Sequence, residues 1–204
     1  FDSKGFIVSP QVGSGQVLRI DPKNGERSVL AQLDPGVDNL TFVGDRLFVS
    51  HFTGQIAEIL SGGETRTVLP RGLSWPLDLT VGDDGNVYVC DGHHFFAILP
   101  GGKLQTLGML FSPGYPGNVR GVVAAGTGEF IVTTSQGQVS RYRPAHGESE
   151  MLAQGLDQLY GVALGPRQAI VVAELGAGRV LSVKSGDVEV LASGLRKPLG
   201  VAFG

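Results

Sequence analysis

A repeat of about 40 residues runs the length of this chain, and such a period restricts it to solenoid or propeller architectures. Five segments open alike: "VDNLTFV" from Val37, "PLDLTVG" from Pro76, "VRGVVAA" from Val119, "LYGVALG" from Leu159 and "PLGVAFG" from Pro198. Their third residues are Asn39, Asp78, Gly121, Gly161 and Gly200, spaced 39, 43, 40 and 39 residues apart. About ten residues on, a second apolar run follows: "LFVS" at Leu47, "VYVC" at Val87, "FIVT" at Phe130 and "IVVA" at Ile170, with "FIVS" at Phe6 in the same column. A third and a fourth short run complete each unit, as in "QIAEI" at Gln55 and "RTVL" at Arg66. Gly-rich turns such as "SGGE", "PGGK" and "KNGE" separate them, as hairpins require. The runs are rich in Val, Ile and Phe, and none has helical periodicity.

Four short antiparallel strands per unit make a propeller blade. The expected fold is therefore all-β, a five-bladed β-propeller of four-stranded antiparallel blades in one domain over 1–204, with blades starting near 37, 76, 119, 159 and 198. The chain opens on a second strand and stops after a first strand. The C-terminal strand is expected to complete the N-terminal blade and close the ring, hiding sheet edges. The alternative is a fragment of a six-bladed ring, which would leave two blade faces exposed.

Composition narrows the function classes. The net charge is −3 and charged residues make up 17% of the chain, with no Lys/Arg patch of the kind phosphate binding needs. Nucleic acid is excluded on that ground. No apolar run approaches about 18 residues, so a soluble chain without a membrane span is expected, its compartment unassigned. A single cysteine excludes an internal disulfide and a Cys-rich zinc cluster. The chain starts at Phe1 with neither an initiator Met nor a secretory leader, as expected of a mature form or an excised domain, monomeric or part of a larger chain.

The blade text resembles the NHL-repeat and SMP-30/gluconolactonase-like propellers. The residues that carry the resemblance are "PLGVAFG", "LYGVALG", "DDGNVYVCD" and "AELGAGRVLSV". "VVAELGAGRVLSV" is also similar to repeats of the virginiamycin B lyase group, where a strand ends in Thr-Glu before a Gly-Ala-x-Arg-hydrophobic run. The resemblance covers nearly the whole chain. It implies a propeller fold, and its members include lactonases, lyases and plain binding modules. In the SMP-30-like enzymes a Glu, an Asn and an Asp hold a divalent cation. Asn39, Asp78 and Glu174 supply those residue types here, for calcium or magnesium.

In a propeller the first strand of each blade lines the central channel, and the starts of first strands share a face with the ends of second strands. The starts place Asp38, Asn39, Asp78, Arg120 and Tyr160 around one mouth, with Trp75 just before. The ends add His51, Asp91, Thr134 and Glu174. The connection Gly108–Asn118 is expected on the same face and carries Met109, Phe111 and Tyr115, an apolar content suited to covering a ligand or meeting a partner.

One stretch departs from its sibling repeats: "DGHH", Asp91 to His94. Asp91 is placed to orient the His93 imidazole. The same stretch is also readable as a turn with polar caps. Cys90 reads as a small buried residue. His51 is either a mouth-lining polar residue or, in an enzyme, a general base; the lyase resemblance matches Glu174 to a strand-ending glutamate and assigns no role to His51. Arg120 either binds a carboxylate or pairs with Asp78 across the channel.

Two function classes remain. One is a non-catalytic binding or protein-interaction module using the mouth and the 108–118 loop, its partner a protein or a small molecule. The other is a small metal-assisted lyase or lactonase with His51, His93 and Glu174 as catalytic residues.

Overall fold

A computed structural model of the chain describes residues 1–184 and 186–203. It is an all-β, five-bladed propeller of antiparallel blades. Blade 1 holds β1 (Ile7–Gln11), β2 (Gln16–Ile20) and β3 (Arg27–Gln32). Blade 2 holds β4 (Val37–Val43), β5 (Arg46–His51), β6 (Gln55–Ile59) and β7 (Thr65–Leu69). Blade 3 holds β8 (Pro76–Val81), β9 (Val87–Asp91), β10 (His94–Leu99) and β11 (Lys103–Met109). Blade 4 holds β12 (Val119–Gly126), β13 (Glu129–Thr134), β14 (Val139–Arg143) and β15 (Glu148–Ala153). Blade 5 holds β16 (Leu159–Leu164), β17 (Ile170–Glu174), β18 (Arg179–Lys184) and β19 (Asp187–Ala192).

The core lies between blades. Successive side chains of a strand point to opposite sheet faces, so each central strand feeds two interfaces. In β9, Val87 and Val89 pack toward blade 2, whereas Tyr88 and Cys90 pack toward blade 4. Cys90 is fully buried there, and burial drives its thiol pKa well up, so it is a packing residue. The interface of blades 3 and 4 is the aromatic one. Tyr88 and Phe130 lie 4.6 Å apart between ring centres, and Phe95 meets Phe130 edge-on at 5.1 Å.

Five blades have only four such cores among the described residues. Apolar clusters join blades 1 and 2, 2 and 3, 3 and 4, and 4 and 5. No cluster joins blade 5 to blade 1. Blade 1 has three strands, and no ladder pairs residues 198–203 with β1. The expected closure by a C-terminal strand is therefore not made. The C-terminal run instead follows β16 as a first strand would, with the Gly161 N–H donating to the Leu199 carbonyl at 2.8 Å. The sequence of β1 suits this outcome. Pro10 has no N–H to give to a ladder, which is the mark of an edge strand.

Candidate functional site

The four complete first strands share one irregularity. Each begins with a bulge in which the second strand's ladder is interrupted: between Val37 and Leu40, Pro76 and Leu79, Val119 and Gly121, and Leu159 and Val162. A bulge re-aims the side chains it contains. It is the reason Asp38, Asn39, Asp78, Arg120 and Tyr160 turn into the channel rather than alternate across the sheet. They line a cavity of about 380 Å³ together with the lower parts of the first strands and the run 199–203. Such a volume suits a small ligand.

Some of these side chains also tie one blade to the next. The Asn39 amide donates to the Leu77 carbonyl and, at 3.2 Å, to Asp38. The two Asp78 carboxylate oxygens accept from the Leu79 and Val122 N–H groups, each at 3.0 Å. Where the next two blades meet, Gly121 replaces the polar side chain, and a Cβ there would sit 2.3 Å from the Tyr160 carbonyl. The Thr133 hydroxyl donates to that carbonyl instead.

The row that ends the second strands behaves differently. Glu174 is fully buried, forms a fork with Arg179 and accepts from the Asp157 N–H at 2.8 Å. The Arg179 guanidinium holds its carboxyl below the usual range. The Asp91 carboxylate accepts the N–H groups of Ser74, at 2.9 Å, and Trp75. The two His51 ring nitrogens meet the Thr53 hydroxyl at 2.9 Å and the Pro35 carbonyl at 3.0 Å. The Thr134 hydroxyl accepts from the Gln138 N–H at 3.2 Å. Asp91, His51 and Glu174 fasten the connections that lead into the first strands of their own blades, and Thr134 closes its own turn. None of the four lines the cavity. The catalytic placement expected for His51 and Glu174 and the ligand placement expected for Asp91 and Thr134 are therefore corrected, because their hydrogen-bonding groups are committed to the fold.

His93 is corrected for a related reason. In blades 1, 4 and 5 the carbonyl of a turn glycine (Gly15, Gly137, Gly178) accepts from a leucine N–H (Leu33, Leu156, Leu195) in the following connection. These glycines have φ of 72°, 78° and 64° and leave no room for a Cβ. Blade 3 makes the same bond, Leu110 N–H to the His93 carbonyl at 2.9 Å, through a tighter two-residue turn with the positive φ moved to Gly92. The exposed His93 ring then meets the Asn118 side chain at 2.7 Å and ties down the long connection, and Asp91 does not orient it.

In that connection Phe111 is 94% exposed with a φ of 74°, and Met109 is also exposed. Tyr115 turns inward, meets Tyr142 edge-on at 5.8 Å and packs against the core of blades 3 and 4. Trp75 and Phe52 are exposed on the mouth face as well. Phe52 is outside the residues that the repeat pattern marks; its only signal is an aromatic side chain in an otherwise polar turn.

The charges of the mouth are unpaired. Arg120 stacks its guanidinium between Trp75, 5.5 Å from the ring centre, and Tyr160, at 5.7 Å. Its Nε is sealed from solvent and has no hydrogen-bond partner among the described residues. The pairing with Asp78 is not made: the ion pairs among the described residues lie elsewhere. Burial raises the Asp38 carboxyl above its ordinary range and pushes Asp78 up to about 7, with the Asp38 charge adding to the effect.

The cation expected from Asn39, Asp78 and Glu174 does not fit this arrangement. Asn39 and Asp78 face the cavity, Glu174 is ion-paired outside it, and among the described residues no three His, Cys, Asp or Glu side chains gather as a metal-binding group.

Comparison with solved structures agrees with the architecture. Virginiamycin B lyase from Staphylococcus aureus superposes with a TM-score of 0.72 at 15% identity, over 100% of this chain and 72% of that one. A streptogramin B lyase structure gives 0.72 at 18% identity, over 100% and 71%. A catalytically inactive virginiamycin B lyase from the same species with quinupristin gives 0.67 at 17%, over 98% and 71%. The chain shares their propeller fold. At these identities the likeness concerns the fold alone. No family model and no curated protein sequence matches the chain. No helix among the described residues is long and apolar enough to cross a membrane.

Proposed function

We propose that this chain is a non-catalytic binding propeller that takes a small carboxylate-bearing ligand at the mouth of its channel. The observation that carries the reading is Arg120. Its guanidinium lies against two aromatic rings and makes no hydrogen bond or ion pair with another described residue. The other half-buried arginines, Arg19, Arg141, Arg143 and Arg179, each face a carboxylate. A planar guanidinium held in this way suits bidentate binding of a carboxylate. The exposed Phe52, Trp75, Met109 and Phe111 give the same face an apolar rim.

Calorimetric titration with benzoate tests the reading. Saturable binding is expected, weakened at least about ten-fold by Arg120→Gln. Absence of binding, or equal binding by the variant, overturns it.

The lyase or lactonase alternative retains two groups of its expected set, Asn39 and Asp78, and the raised carboxyl pKa of Asp78, about 7, is in the range of a general base. That alternative requires turnover of a lactone that Asp78→Asn abolishes.

A further inference from the structure

We infer that the ligand of this mouth is a zwitterion, an α-amino acid with an apolar side chain, its carboxylate on Arg120 and its ammonium on Asp38 and Asp78. The inference rests on the binding reading above and narrows it.

One cavity holds charges of both signs that do not neutralise each other. Arg120, Asp38 and Asp78 all line it, and no ion pair within 4.0 Å joins the arginine to either aspartate. Elsewhere the chain pairs its half-buried charges closely: Arg19 with Asp2 at 2.7 Å and Arg143 with Glu129 at 2.8 Å. A half-buried charge without a partner is unfavourable. A simple carboxylate would satisfy Arg120 and leave the aspartates, already uncomfortable as neighbours, facing a second anion. An amine would do the reverse. A ligand carrying both charges a few bonds apart relieves both ends at once.

The aspartates have acceptor capacity left. Each Asp78 oxygen takes one backbone N–H, and Asp38 takes one amide contact from Asn39 through Oδ2. An ionised carboxylate offers about four lone-pair sites, so an ammonium can be added without displacing these bonds. The same cavity has apolar lining from Leu77, Val122, Val123 and Leu199, and the Trp75 ring lies against Arg120. That lining selects an aliphatic or aromatic side chain.

The test compares matched probes on the unaltered chain by calorimetry: L-leucine, L-phenylalanine, 4-methylpentanoate (leucine without its amine) and 3-methylbutylamine (without its carboxylate). At least one amino acid is expected to bind ten-fold or more tightly than either truncated probe. Arg120→Gln should erase the advantage over the amine, and Asp38→Asn should reduce the advantage over the carboxylate, with melting curves confirming that both variants fold. If 4-methylpentanoate binds as tightly as leucine, or if benzoate binds and neither amino acid does, the zwitterion inference fails and the carboxylate site stands. If 3-methylbutylamine alone binds, the ligand is a cation and the inference fails together with the carboxylate reading. If no probe binds, benzoate included, both fail.

Discussion

Two rows of polar side chains ring the same face of this propeller and behave in opposite ways. The outer row, His51, Asp91, Thr134 and Glu174, ends the second strands. All four are buried, and each has backbone or ionic partners. The inner row, Asp38, Asn39, Asp78, Arg120 and Tyr160, lies in the first-strand bulges and faces the cavity. The outer row meets the connections between blades, which bring unsatisfied N–H and C=O groups within reach. The inner row meets the channel, where only the neighbouring blades' bulges come close. Residue type does not separate the rows, since carboxylates occur in both; what separates them is whether a connection passes overhead.

The comparison breaks if the outer row proves dispensable. Glu174→Ala should lower stability by about 3 kcal/mol in chemical denaturation, because it leaves the Asp157 N–H without its acceptor and Arg179 without its counter-ion. A loss below about 1 kcal/mol would mean that the outer row is not structural.

The two rows should also separate by pH. Asp78 holds its proton in the folded chain up to about pH 7 and releases it near 3.8 when unfolded. Across that window the native state binds the extra proton, so stability falls as pH rises and levels off above about 7. Three units set a ceiling of about 4 kcal/mol, and partial solvent access to a half-buried group brings the expected drop to about 2. Asp78→Asn should flatten the slope in denaturation measured from pH 4 to 8. Glu174 runs the other way. Its folded carboxyl lies below the ordinary value, so its contribution is present above the unfolded pKa and is lost as pH falls through the folded one.

Smaller effects sharpen the contrast. Asp91→Ala should lower stability by about 2 kcal/mol by freeing the N–H groups of Ser74 and Trp75. His93→Ala should lower it by about 0.5 kcal/mol, through loss of the Asn118 contact, and should speed amide exchange in residues 110–118. Arg120→Gln should change stability by less than about 0.5 kcal/mol, since no protein hydrogen bond is lost. A melting point that moved by several degrees would place Arg120 with the structural row.

Much of the fold was legible because a strand's period and a turn's glycine are local properties. The four complete blades begin at Val37, Pro76, Val119 and Leu159, where the repeated text begins. Cys90 was readable as core because its strand alternates apolar side chains to both faces. The mouth was readable as a place, since strand direction alone puts first-strand starts and second-strand ends on one face. Which mouth residues stay free was not readable, because the partners of the committed ones lie in other segments, 16 or 17 residues back along the chain: Pro35 for His51, Ser74 and Trp75 for Asp91, Asp157 for Glu174.

The sequence by itself determined the blade count, the strand columns and the chemical inventory of the mouth, since each follows from periodicity and residue type within about 40 positions. The tertiary structure decided two things. Ring closure is not made at β1, because closure depends on how far each blade rotates about the channel, a packing property that no single repeat encodes. And Arg120, unlike His51 and Glu174, has no hydrogen-bond partner among the described residues, a difference set by contacts that only the assembled propeller brings together.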